Sequence, residues 1–149
     1  MREIGGAGRA GSMTSKDSFS IDIVLRHPSY SPERISEALS IKPQGFRTAG
    51  NEFEGLRAKW TSVYARLREG STSSAHETAL ADVVLFLEKN AAFWTDFTSG
   101  NGEVELVLNY SYMEKAEHGD LCLELHLEPR LLAQLSSLGI GLRVQAWAN

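Results

Sequence analysis

The chain has 149 residues, 42% hydrophobic and 23% charged, which is the size and composition of one folded domain and not of a disordered polypeptide. Its formal charge of −4 offers phosphates no positive field, so nucleic acid is not an expected partner; the single cysteine, Cys122, excludes an internal disulfide and fits a reducing cytoplasm. The longest apolar run, Ala79 to Leu87, is broken by Asp82 and falls far short of the roughly 20 residues of a membrane helix, so no membrane association is expected.

Residues 1–17 are rich in Gly, Ala and Ser and read as a disordered N-terminal tail, leaving 18–149 as a single α+β domain. Phe19, Ile21, Ile23 and Leu25 alternate with Ser20, Asp22, Val24 and Arg26, the two-residue period of a strand with one buried face. Ser31-Pro32-Glu33 then supplies an N-cap, a proline at the first helical position and an acid near the positive helix end, so a short helix follows, stopped at Lys42-Pro43. From Gln44 to Gly55 three glycines and no clean period indicate an irregular connection carrying a short strand near Phe46 to Thr48.

Trp60, Ser62 and Tyr64 alternate with Thr61, Val63 and Ala65, a second strand. Ser74 and Glu77 have capping-box spacing, and Leu80, Val83, Val84, Leu87, Ala91 and Trp94 continue at helical intervals, which predicts one long core helix ended by Ser99-Gly100-Asn101-Gly102. Val104 to Tyr112 and Leu121 to Leu127 both alternate and are expected to pair as a hairpin. Pro129 opens a last helix capped by Gly139, and Leu142, Val144 and Ala146 give a closing strand. The order β-α-β-α-β-β-α-β implies a ferredoxin-like antiparallel sheet with helices on one face.

That plan leaves Asp22, Arg26, Glu103, Glu105, Asn109, Glu124, His126, Arg143 and Gln145 on the other face. Mixed charge and scarce aromatics there do not suit a single-stranded RNA reader. Cys122, Glu124 and His126 alternate on one predicted strand, a metal-ligand set without a second cluster to complete it; the plainer reading is an ordinary polar strand face, so neither a metal nor another cofactor is expected. His27, His76 and His118 occupy a strand end, a first helical turn and a loop, where solvated histidines are common. No nucleophile-elbow or P-loop motif occurs, and no catalytic residue is assigned. Arg47, Arg57, Lys59 and Trp60 surround the glycine-bearing connection, which could hold a carboxylate or an acidic loop of a partner; the alternative is a surface loop with Trp60 tucked into the core.

The strand FSIDIVLRH, the helix SPERISEALSIKP, the segment FRTAGNEF, Trp60 and the C-terminal LELHLEPRLLAQLSSLGIGLRVQAW together resemble a bacterial family of small domains known only as domain of unknown function number forty-two seventy-nine. The resemblance implies no catalytic residues. It marks Arg47, Gly50 and Trp60 as motif positions, which with Arg57 make the candidate partner-binding set, and by analogy it implies a partner-binding or immunity-type role. The leading expectation is therefore a non-enzymatic protein-binding module. The alternatives are a metal- or small-molecule-dependent activity at Cys122, Glu124 and His126, and a homodimer through an exposed strand edge.

Overall fold

Alternating apolar residues bury one side of a strand, and β1 (Ser18–His27) does this with Phe19, Ile21, Ile23 and Leu25. Each such side chain contributes roughly 1.5–3 kcal/mol by leaving water. The computed structural model describes residues 3–4, 6–7, 18–112 and 125–148, so the expected tail falls mostly outside the described residues. Within it, Glu3–Ile4 pairs with Gly6–Ala7 apart from the main sheet.

After β1 come α1 (Pro32–Leu39), β2 (Gly45–Arg47), β3 (Thr61–Gly70), α2 (Ser73–Lys89), α3 (Ala91–Ser99), β4 (Glu103–Tyr112), α4 (Pro129–Leu138) and β5 (Ile140–Ala148). Local chemistry sets several of these boundaries. Ser31 caps α1, its Oγ accepting from Arg34 N at 3.1 Å, and Gly139 closes α4 in the left-handed region. Thr72, and not Ser74, caps α2 by accepting from Ala75 N at 3.1 Å.

The long helix expected from Ser74 onward is two helices. Asn90 turns its side chain back, Nδ2 donating to Phe86 O at 2.9 Å, and the chain restarts as α3. Trp94, fully buried, donates its Nε1–H to Leu87 O at 3.1 Å and ties α3 to α2. Ile35 and Leu39 of α1, Val83 and Leu87 of α2, Phe97 of α3, and Leu131 and Leu135 of α4 join the apolar side of the sheet in one core.

The five strands run β2-β3-β1-β4-β5. β1 is antiparallel to β3 and β4, but β5 lies parallel to β4, so the sheet is mixed and the expected antiparallel ferredoxin-like order does not hold. β4 is paired along its length by β1 on one side and β5 on the other, which leaves no side for the expected hairpin partner 121–127. Residues 121–124 lie outside the described residues; Leu125 to Glu128 pair in no strand, and Leu125 and Leu127 instead pack against the core ahead of α4. A parallel neighbour needs a crossover connection, and the stretch carrying α4 provides it.

One irregularity decides the chemistry of the opposite face. The β1–β3 register shifts between Ile21, opposite Arg68, and Asp22, opposite Arg66, so Leu67 is an extra residue in a β-bulge. Two residues apart on a regular strand, Arg66 and Arg68 would share a face. The bulge sends Arg68 toward the helices, where its Nε donates to Asp82 Oδ2 of α2 at 3.2 Å, and puts Glu69 in its place opposite Ser20 on the open face, next to the Asp22–Arg66 pair.

Candidate functional site

Asp22 is on the open face, as expected, yet fully buried. A carboxylate without water needs donors, because an unpaired buried charge costs several kcal/mol. Three arrive from the neighbouring strands. Tyr64 donates its hydroxyl to Oδ2 at 2.6 Å, Asn109 donates Nδ2–H to the same oxygen at 2.7 Å, and Arg66 donates Nε–H to Oδ1 at 3.0 Å. Asn109 Nδ2 also donates to Ser20 Oγ at 3.2 Å, and Arg66 reaches Glu69 at 3.4 Å. The hydrogen bond to Asp22, then burial and the carboxylate's charge, raise the Tyr64 pKa; the same bond raises that of Arg66.

The rest of the open face carries cross-strand pairs, Arg26 with Glu103 at 3.1 Å and Arg143 with Glu105 at 2.8 Å. The sequence-derived face is right for Asp22, Arg26, Glu103, Glu105, Asn109, Arg143 and Gln145. Glu124 lies outside the described residues, and His126 is exposed on the unpaired stretch before α4.

The second region is the connection between β2 and β3, which is a hairpin. Glu52 pairs with Arg57 and Phe53 with Leu56 in its two short arms. Glu54 and Gly55 hold positive φ of 50° and 80° at its turn, the geometry that matches strand twist. Its base is closed by Gly50 N donating to Ala58 O at 2.7 Å and Ala58 N to Asn51 O at 2.8 Å, and Ala49 N is tied to Thr61 Oγ1 of β3 at 3.1 Å. Gly50 has φ 91°, a conformation that side-chain-bearing residues rarely adopt, so its motif position has a turn-forming role.

The hairpin holds its shape through its backbone while exposing Leu56 at 75%, and the edge strand β2 beside it exposes Phe46 at 63%. The four candidate residues gather around this corner. Arg47 lies on β2; Arg57 is on the hairpin, 3.9 Å from Glu52; Trp60 is half-buried at the start of β3 under the Arg26 guanidinium, 5.8 Å from its ring centre. Trp60 is therefore only partly tucked away. The Arg57–Glu52 pair is mostly exposed and contributes about 0–1 kcal/mol at most.

The Cys122, Glu124 and His126 set falls mostly outside the described residues. Cys122 and Glu124 are not among them, His126 is not on a strand, and among the described residues no three His, Cys, Asp or Glu side chains gather to hold a metal. Nor is His27 a solvated strand end. It is buried, its Nδ1 accepts from Ser29 N at 3.0 Å and Tyr30 N at 3.2 Å, and burial followed by the nearby Arg34 charge lowers its pKa. His76 is half-buried, its Nε2 hydrogen-bonded to Tyr110 Oη, with its pKa lowered chiefly by burial. His118 lies outside the described residues.

Sequence reasoning did not find the Asp22 cradle as a unit, since Tyr64, Arg66 and Asn109 converge only through three-strand pairing; Asp22 at a strand centre was the available signal. It likewise missed Phe46 and Leu56, which read as ordinary apolar residues. Among the described residues, no helix is long and apolar enough to cross a membrane. The chain belongs to the family described as Domain of unknown function (DUF4279), whose profile matches residues 17–149. No curated protein and no solved structure matches it.

Proposed function

We propose that this family member is a non-enzymatic protein-binding module whose contact surface is the β2 edge and the hairpin after it. The observation that carries this reading is a pair of apolar side chains left in water on ordered backbone, Leu56 on the hairpin closed by its own backbone hydrogen bonds and Phe46 on the edge strand β2 paired to β3. Ordered apolar side chains at a surface cost little ordering entropy on association, the condition under which a small patch binds well. Arg47, Arg57 and the half-buried Trp60 beside them are of the residue types that dominate interface energies. A partner suited to this corner offers an apolar pocket with an acidic rim.

The test is a photo-crosslinking amino acid placed at position 56 in the native host, with one at the exposed Leu85 of α2 as control. A recurrent protein adduct at 56, absent at 85, supports the reading. Its identity decides the finer form, an immunity-type role in which the partner is a toxin. No adduct, the same adducts at both positions, or only the chain crosslinked to itself contradicts it.

A further inference from the structure

At the end of the sheet away from the hairpin, the open face has a shallow trough of about 600 Å³ that begins at the Asp22 cradle. The strand register builds its floor: Gln145 of β5 lies beside Asn109 of β4, Asn109 beside Ser20 of β1, and Ser20 beside Glu69 of β3. The trough therefore runs across four strands, roughly 14 Å at the usual strand spacing. Trp147, 48% exposed at the β5 end, also lines it and makes no ring or guanidinium contact among the described residues.

The chemistry of this floor is selective. Ser20 and Gln145 can each donate to a ligand, and Gln145 can also accept, while Asn109, whose amide hydrogens go to Ser20 and Asp22, offers its carbonyl oxygen, so together they match groups that both donate and accept, as hydroxyls do. The charges oppose an anion: Arg66 is engaged by both Asp22 and Glu69, leaving the trough one negative charge in excess. An indole face next to such groups suits a ligand with one C–H surface and a polar perimeter. Asn109 is fixed by its bonds to Ser20 and Asp22, so its amide is oriented before any ligand arrives.

We infer that the trough binds a short neutral saccharide, its ring face on Trp147 and its hydroxyls on Gln145, Asn109 and Ser20. This site is distinct from the hairpin, and neither depends on the other. The full chain is screened against an array of neutral and acidic oligosaccharides and extended peptides, and any binder is titrated calorimetrically. Binding of a neutral oligosaccharide, weakened about tenfold by Trp147→Ala and by Gln145→Leu, is the expected result. Both residues are exposed, so unchanged thermal unfolding certifies that the variants are folded, and Leu56→Ser is expected to bind as the parent does. The inference is overturned if no neutral saccharide binds, if binding ignores both substitutions, or if only peptides or acidic glycans bind.

Discussion

On the open face of the sheet a carboxylate, Asp22, is sealed from water beneath Tyr64, Arg66 and Asn109, whereas at the β2 edge two large apolar side chains, Phe46 and Leu56, stand in it. Each region reverses the usual partition of polar outside and apolar inside. They differ in what holds them. The cradle depends on charge-assisted hydrogen bonds among three strands, so its members stand or fall together. The hairpin depends on backbone bonds and turn geometry, and the exposed Leu56 on it takes no part in those bonds. A buried polar cluster is thus paid for by the fold, while an exposed apolar pair on an ordered support is available for recognition.

Breaking the cradle should have the largest effect. Asp22→Ala leaves three donors facing an empty site and is expected to cost about 3 kcal/mol, the lower end for a broken buried pair because Arg66 keeps a route to water. Urea unfolding measures it. Pairing Asp22→Leu with Arg66→Met should recover much of that loss, which would show that the cost lies in stranded polar groups.

At the hairpin, Gly55→Ala places a side chain at φ 80° and is expected to cost about 1 kcal/mol by the same assay. Leu56→Ser touches only an exposed side chain and should change stability by less than about 0.5 kcal/mol.

A pH profile sharpens the contrast. Folding raises the Tyr64 pKa, so the native state holds that proton more tightly than the unfolded chain does. Its stabilisation is whole below the ordinary tyrosine value of about 10 and is lost as pH climbs through the folded value. Unfolding free energy measured from pH 8 to 11 should therefore fall more steeply in the parent than in Tyr64→Phe. Leu56→Ser should track the parent throughout.

What could be read from the sequence was what neighbouring residues decide. The alternation of Phe19 to Leu25, the Ser31 cap with Pro32, and Gly139 at the end of α4 are short-range chemistry, and the structure has all three. Most of the polar face followed from the same alternation. What could not be read is set at a distance. The parallel placement of β5 beside β4, the extra Leu67, and the burial of Asp22 between β3 and β4 depend on which strands meet and in what register. The break at Asn90 is hidden in the sequence because the apolar period continues past it into Trp94. The hairpin after β2 was visible only as glycines, since nothing local distinguishes a Leu56 left in water from one in the core.

On the proposed reading, Phe46 and Leu56 serve recognition and not folding. The double variant Phe46→Ser/Leu56→Ser, compared with the parent for urea unfolding and for binding of the crosslinked partner in purified form, tests it most directly. Stability within about 1 kcal/mol of the parent together with loss of the partner is the predicted result. Retained binding, or a loss of stability on the scale of Asp22→Ala, would contradict it.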